Sequence, residues 1–111
     1  RYIGIMNLPN MGQVGNLLRD AVVETYGTID STGAHATTYG DVPAGVQNIL
    51  QKHVSNQELT VQAALTGDRN LALQVLLNDP LSSRLTIAKA RQLLDEMLEA
   101  NKQYLPKFFQ S

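Results

Sequence analysis

The feature that most constrains this chain is an amide-rich stretch, Asn7–Leu17, which lies between two runs with the composition of β-strands. It contains three Asn, one Gln, two Gly and one Pro. Asn, Gly and Pro in such a cluster favour a loop of defined shape over a helix or a strand. The stretch therefore predicts a shaped loop between two strands.

Two interpretations of this loop are open. Asn and Gln each carry a donor and an acceptor, which suits a neutral, hydroxyl-rich ligand, and Gly12 and Gly15 allow close backbone approach. In the other interpretation, which local chemistry alone favours, the amides only cap the loop's own backbone. The two glycines lack the third Gly of a dinucleotide-binding fingerprint, and no helix follows them.

The segments on either side of the loop predict a small antiparallel sheet. Tyr2–Met6 and Ala21–Ile29 are rich in β-branched and aromatic residues, which is typical of strands. A turn signal at residues 30–33 returns the chain along residues 34–39, which indicates a hairpin. Gly27 within the second strand suggests a β-bulge.

The second half of the chain predicts three helices. The first is expected to begin at Pro43 and to end at Gly67, since Pro suits a first helical position and Gly a helix end. Asp68 and Thr86 are expected to cap the second and third helices, and Pro106 is expected to end the third. Strands followed by helices, without alternation, indicate the α+β class.

Length and composition fit one globular domain, residues 1–111, with 43% hydrophobic and 17% charged residues. A net charge of −1 gives no basic excess for nucleic acid, and no apolar run is long enough to span a membrane. The absence of cysteine excludes disulfides and thiolate metal sites. The start at Arg1, directly in a strand-like run and without Met, suggests a fragment.

The titratable residues do not form a recognisable catalytic or metal-binding constellation. His35 and His53 are the only histidines, and no His-x3-His pair occurs. We expect His53, on a mostly apolar helix face, to be partly buried, and His35 to lie on the surface. Two interpretations of Glu24 are open, a buried functional carboxylate and an ion-pair partner of Arg19 or Arg84, and we favour the second, structural one.

Three stretches together resemble a known enzyme family. They are residues 7–24, which include Asn-Leu-Pro-Asn and Val-Val-Glu, residues 53–68, which begin His-Val-Ser-Asn-Gln, and residues 72–81. In order and approximate spacing they resemble the C-terminal region of glycoside hydrolase family four, the glycosidases that need NAD and a divalent metal. The resemblance covers about residues 2–106.

The resemblance implies a fold like the C-terminal domain of lactate and malate dehydrogenases, packed beside an upstream Rossmann domain that is absent from this chain. That upstream domain would carry the dinucleotide-binding Gly motif and the Cys and His of the metal site. The chain is then expected to be the C-terminal fragment of a two-domain, cytoplasmic glycosidase. Its implied tasks are to close one wall of the active site and to build much of a homodimer or larger oligomer.

The implied chemistry differs from hydrolysis by two carboxylates. NAD would oxidise the sugar's 3-hydroxyl, a base would remove the hydrogen at carbon 2, and the group at carbon 1 would be eliminated before water adds. A metal, with manganese expected, would stabilise the enediolate. The segments point to α-galactosides or α-linked uronic acids as substrates, and the isolated fragment is expected to bind no cofactor and to be inactive.

At positions that match the family's loop motif, the resemblance points to five substrate-binding residues. Asn10 and Gln13 would face the sugar, Gly12 would allow close backbone approach, and Asn7 and Asn16 would shape the loop. Replacing Asn10 or Gln13 with Ala should then lower kcat/KM by about tenfold or more, with folding nearly unchanged.

The chain departs from the family pattern at two places, which leaves the substrate branch open. Leu18-Arg19 and Thr25-Tyr26 stand where Pro and Val-Pro are common. The alternative function is a free-standing α+β oligomerisation or protein-binding module without catalytic activity. In either case we expect self-association through the helices and the Phe108-Phe109 pair, because a small domain rarely leaves such apolar surface open.

Overall fold

The computed structural model describes residues 1–110. The chain divides into two compact units, of which the first is Arg1–Gln51 and the second begins at Lys52. Three antiparallel strands precede three helices in the chain order, which confirms the α+β class. Each unit is described by itself.

The first unit contains a three-stranded antiparallel sheet with the order β1-β2-β3. Its strands are β1 (Tyr2–Pro9), β2 (Val22–Asp30) and β3 (Gly33–Ala36). The hairpin between β2 and β3 is confirmed, although β3 ends three residues before the predicted end at residue 39. The sheet also pairs β1 with β2 in a continuous register from Tyr2 opposite Ile29 to Pro9 opposite Val22.

Two glycines lie opposite each other in this register, Gly4 on β1 and Gly27 on β2. Gly27 also pairs with Ala36 on β3, so the ladder runs through it and the predicted β-bulge is wrong. A Cβ on Gly27 would lie 2.6 Å from the backbone oxygen of His35 and 2.6 Å from the sulfur of Met6. The glycine is therefore required by close packing between strands rather than by a break in the pairing.

We expect Gly27→Ala to lower the free energy of unfolding by about 2 kcal/mol, because the backbone of β3 would have to move away. Gly4→Ala is the matched control, since its Cβ meets only the far end of the Tyr2 side chain, which is 57% exposed and can rotate away. Chemical denaturation followed by circular dichroism measures both variants. Equal stability losses for the two substitutions would contradict this account.

The helices are α1 (Ala44–Thr66), α2 (Arg69–Asn78) and α3 (Ile87–Ala100). The predicted caps are confirmed: the Asp68 carboxylate accepts from the N–H groups of Asn70 and Leu71, and the Thr86 hydroxyl accepts from the N–H of Lys89. The first helix begins one residue after Pro43 and is followed by Gly67 at φ +72°. Local signals thus placed the first helix and the starts of the second and third helices.

The end of the third helix was predicted wrongly. It ends at Ala100 rather than near Pro106, because Asn101 turns its side-chain amide back onto the carbonyl of Met97 at 2.8 Å. Two short 3-10 turns follow, Lys102–Tyr104 and Pro106–Phe109. Such side-chain competition for helix carbonyls is a common way for Asn to stop a helix.

The second unit has a small apolar core with one side that stays open. Its buried residues are Val54, Ala63, Leu73, Ala90 and Leu98. An apolar groove of about 290 Å³ lies between the helices and the C-terminal turns, and its lining includes Ala63, Val75, Leu94, Met97, Leu105 and Phe108. Among residues 1–110, no helix is both long and apolar enough to cross a membrane.

Candidate functional site

Asn10 is the most buried side chain of the amide-rich loop, with 1% of its surface exposed. Its amide nitrogen donates to the carbonyl oxygens of Val14, Leu17 and Leu18 at 2.9, 3.1 and 3.2 Å. Its amide oxygen accepts from the N–H groups of Gly12 and Val14 at 3.2 and 3.1 Å. The two N–H groups thus reach both lone pairs of the amide oxygen, and the two hydrogens of the amide nitrogen are shared among three carbonyl oxygens.

Gln13 is also buried, at 5% exposure, and it bridges the two sides of the loop. Its amide nitrogen donates to the carbonyl of Pro9 at 2.8 Å, and its amide oxygen accepts from the N–H of Met11 at 2.7 Å. The backbone carbonyl of Gln13 accepts from the N–H groups of Tyr39 and Gly40 at 2.7 and 3.1 Å. The loop is thereby tied to the segment that follows β3.

Asn16 links the loop to the residues before the first helix. Its amide nitrogen donates to the carbonyl of Val42 at 2.8 Å, and its amide oxygen accepts from the N–H of the same residue at 3.0 Å. The Gln47 side chain donates to the backbone carbonyl of Asn16 at 2.6 Å. Asn16 thus bonds to both the N–H and the carbonyl of one residue, much as a residue of a neighbouring antiparallel strand would.

The other two candidate residues are exposed. Gly12 has φ +115°, and a Cβ built on it would meet nothing within 4 Å. Asn7 lies on β1, directly opposite Glu24 on β2, and its side chain is exposed. The structure therefore brings Asn10, Gly12 and Gln13 together in one turn and places Asn7 on the sheet.

The hydrogen bonds of the loop are those of amides that cap their own backbone. Both Asn10 and Gln13 are buried and hydrogen-bonded to the backbone of the loop, so we now expect their replacement to destabilise the fold. Contact of either side chain with a sugar stays a prediction. The loop itself is a hydrogen-bonded surface whose open point is Gly12.

The titratable side chains of the first unit are exposed. Glu24 is exposed and forms no ion pair among residues 1–110, so its predicted pairing with Arg19 or Arg84 is wrong. In the β2–β3 turn, hydrogen bonds from the Thr32 hydroxyl and N–H, assisted by His35, hold the pKa of Asp30 below its usual range. His35 lies on the surface as expected.

The second unit offers no metal site in the part of the chain that is described. No group of three or more His, Cys, Asp or Glu within residues 1–110 could hold a metal ion. His53 was expected to be partly buried and is instead exposed on α1. Periodicity placed it on the apolar side of the helix, but that side is not fully covered at this turn.

Sequence reasoning missed an open face of the sheet. On this face of β1 and β2, Ile3, Ile5, Asn7, Val22, Glu24 and Tyr26 are exposed, as is Pro9, and Thr28 is half-buried. The signal was present in the sequence, since Tyr2, Ile3, Ile5 and Met6 are apolar at both odd and even positions. A strand that is apolar on both faces is typical of a sheet covered on both sides.

Residues 1–82 match the family model described as the family 4 glycosyl hydrolase C-terminal domain. The chain belongs to this family. The resemblance of the loop and the two later segments is thereby confirmed. An α-galacturonidase from Bacillus subtilis (strain 168) is 42% identical over 94 residues, which are 85% of this chain and 21% of that enzyme.

Solved family 4 enzymes share the fold. The 6-phospho-β-glucosidase from Thermotoga maritima, with manganese, NAD+ and glucose-6-phosphate, has a TM-score of 0.83 at 32% identity and covers 93% of this chain. A 6-phospho-α-glucosidase from gut microorganisms, in complex with NAD and glucose-6-phosphate, has a TM-score of 0.84 at 30% identity and covers 96% of this chain. This chain corresponds to 25% and 24% of those two chains.

Proposed function

We propose that this chain is the C-terminal part of an NAD- and manganese-dependent O-glycosidase and forms a rigid wall beside its sugar site. The observation that carries the proposal is the loop around Asn10, which is held by five side-chain hydrogen bonds and belongs to a family 4 sequence match. A wall of fixed shape orients a substrate and excludes water. The proposal includes a cytoplasmic location, as the resemblance implies.

The substrates proposed are α-galacturonides, with α-galactosides as the related class. The 42% identical relative is an α-galacturonidase, and the sequence segments had favoured the same branch. Residues 7–18 contain no Lys or Arg, the side chains that usually bind a phosphate group. This composition favours a sugar without a phosphate at this wall.

Within the wall we propose different tasks for the five candidate residues. Gly12, at an open point with no side chain, allows a sugar ring to approach the backbone. Asn10, Gln13 and Asn16 hold the loop in shape, and Asn7 presents an amide from the adjacent strand. Direct sugar contact by Asn10 and Gln13, as the resemblance implies, would require that the loop exchange some of its internal hydrogen bonds for bonds to the ligand.

NAD and the metal would be held by the upstream part of the parent enzyme. The described residues contain no cluster that could hold the metal ion, so this chain is assigned only positioning and water exclusion. The parent is proposed to be a homodimer or larger oligomer, with the apolar groove of the second unit as the surface to be covered. The second candidate function is a free-standing oligomerisation or binding module without activity.

A chimeric enzyme tests the proposed function. The matching region of the Bacillus subtilis α-galacturonidase is replaced by this chain, and hydrolysis of α-galacturonides, α-galactosides and 6-phosphoglucosides is measured with NAD and manganese. We expect α-galacturonides to be hydrolysed with kcat/KM within about tenfold of the natural enzyme. A folded chimera that binds NAD and hydrolyses none of the three substrates would favour the binding module.

A pair of glycine variants in the same chimera tests the wall. Gly12→Ala and Gly33→Ala place a Cβ at residues with φ +115° and +125°, and neither Cβ meets an atom within 4 Å. The backbone strain should therefore be similar, but only Gly12 lies in the proposed wall. We expect Gly12→Ala to lower kcat/KM about tenfold and Gly33→Ala to change it less than twofold. Equal effects would contradict the role of the loop.

A further inference from the structure

The open face of the sheet, defined by Ile3, Ile5, Asn7, Val22, Glu24 and Tyr26, carries more apolar surface than an exposed sheet needs. Ile3, Ile5, Val22 and Tyr26 are exposed at 63%, 56%, 61% and 64%. The register brings them together, since Ile5 lies opposite Tyr26 and Pro9 opposite Val22. Contiguous apolar surface of this kind marks an interface.

The other face of the same two strands is covered more completely. Gly4, Met6, Leu8, Val23 and Thr25 are half-buried and Gly27 is buried. The Tyr2 and Met6 side chains lie over the paired glycines on that side. The strands thus carry apolar residues on both faces. This chain covers the middle of the second face, whereas Tyr2 and Ile29 at its end are exposed, as is the open face.

We infer that the open face packs against the upstream part of the same family 4 polypeptide, through apolar contacts around Glu24. The inference rests on the proposed function, because it takes this chain to be part of a longer enzyme. The solved relatives contain three to four times as much polypeptide as this chain, which corresponds to only 24% and 25% of theirs. That additional polypeptide is the occupant to which we assign the face.

The charge on the open face defines what the covering surface must offer. Glu24 is the one ionisable acid among the six residues, it lies opposite Asn7, and it forms no ion pair among residues 1–110. Covering a carboxylate is costly unless it gains a cation or several hydrogen-bond donors. The partner surface is therefore apolar with a Lys, an Arg or a group of N–H donors opposite Glu24.

The position of the face agrees with the proposed sugar site. β1 carries Ile3 and Ile5 and leads directly into the amide-rich loop at residue 10. A surface that docks on β1 therefore lies next to the wall that the loop forms. Docking on this face would complete the site from two parts of one polypeptide.

Tyrosine nitration offers a test with an internal control, because Tyr26 and Tyr2 are exposed at 64% and 57% on opposite faces of the same strand pair. Both are expected to react in the isolated chain. In the α-galacturonidase chimera we expect nitration of Tyr26 to fall at least fivefold and that of Tyr2 to fall less than twofold, as measured by peptide mass spectrometry. Unchanged nitration of Tyr26 in the chimera, or equal protection of Tyr26 and Tyr2, would overturn the inference.

Nitration of the isolated chain at increasing protein concentration shows whether a second copy of this chain, and not the upstream polypeptide, covers the face. If Tyr26 becomes protected in the isolated chain as its concentration rises, a copy of this chain covers the face and the inference fails. If the chimera is insoluble, the separately produced upstream part of the Bacillus subtilis enzyme is added to the isolated chain. If saturating amounts of the upstream part protect Tyr26 but not Tyr2 from nitration, the inference is supported. If Tyr26 is not protected under these conditions, the inference is overturned.

A charge reversal tests the role of Glu24. Glu24→Lys should leave the melting temperature of the isolated chain within about 2 °C, since the side chain is exposed and unpaired. In the chimera it should lower the melting temperature by about 5 °C or more, while Glu24→Gln has a smaller effect.

A chimera that protects Tyr26 and has no glycosidase activity would disprove the proposed function alone, and an active chimera with unprotected Tyr26 would disprove this inference alone.

Discussion

Asn10→Ala is expected to lower the free energy of unfolding of the first unit by about 3 kcal/mol, although it is a polar loop residue. The side chain is 1% exposed, donates to three carbonyl oxygens and accepts from two N–H groups. Removing it leaves buried backbone groups without partners, and each such group costs about 1–3 kcal/mol unless water enters. Denaturation of the variant, followed by circular dichroism, measures the loss.

Two further variants show whether the hydrogen bonds cause this loss. Asn7→Ala removes an exposed amide from the neighbouring strand and should change stability by less than about 0.5 kcal/mol. Asn10→Asp keeps the shape but replaces the donating nitrogen with an oxygen that faces three carbonyls, so it should destabilise at least as much as Ala. A nearly neutral Asn10→Asp would show that shape, and not hydrogen bonding, holds the loop.

Gly67→Ala is expected to lower the free energy of unfolding of the second unit by about 3 kcal/mol, because two destabilising effects add. The backbone at residue 67 has φ +72°, a conformation that costs a residue with a Cβ about 1–2 kcal/mol. The new Cβ would also collide with the backbone carbonyl of Lys107, whose side chain donates to the carbonyl of Leu65 at 2.8 Å. The last turn of the chain would have to detach, which would expose Phe108. Thermal unfolding measures the loss.

Asn at the same position separates the two sources. Asn tolerates positive φ better than Ala, so Gly67→Asn should recover the conformational part of the loss and retain the collision with Lys107. Gly45→Ala on α1 is the control for helix propensity, because its Cβ meets nothing within 4 Å and should be neutral or stabilise slightly. If Gly67→Asn had the stability of the unsubstituted chain, the collision would be unimportant.

Much of the fold could be predicted because its signals are local. Asp68 and Thr86 cap helices through bonds to residues two or three positions later, and Gly67 ends a helix through its own φ. The wrong predictions concerned choices that distant atoms decide. Gly27 fits either a bulge or close packing, and only the neighbouring backbone at His35 selects the second. The early end of the third helix is the exception, because it has a local cause: Asn101 turns back on Met97, four residues earlier.

The candidate site was predicted as a set of residues but not as a geometry. The cluster of amides in the sequence identified the loop correctly. Whether an amide points outward to a ligand or inward to the backbone depends on partners four to eight residues away, such as Val14 and Leu18 for Asn10. Likewise, the exposure of Ile5 and Tyr26 depends on what covers the sheet, which no local pattern specifies.

Within residues 1–110, the side-chain amides of Asn10, Gln13 and Asn16 bond only to main-chain atoms of their partners. The loop therefore keeps its shape whatever side chains stand at positions 11 and 18, which are exposed and contribute a peptide N–H and a carbonyl. A Pro at position 18 would offer the same carbonyl as Leu18. A gene library randomised at 11 and 18 would consequently yield mostly folded proteins with altered surfaces, and would be a practical start for changing sugar preference.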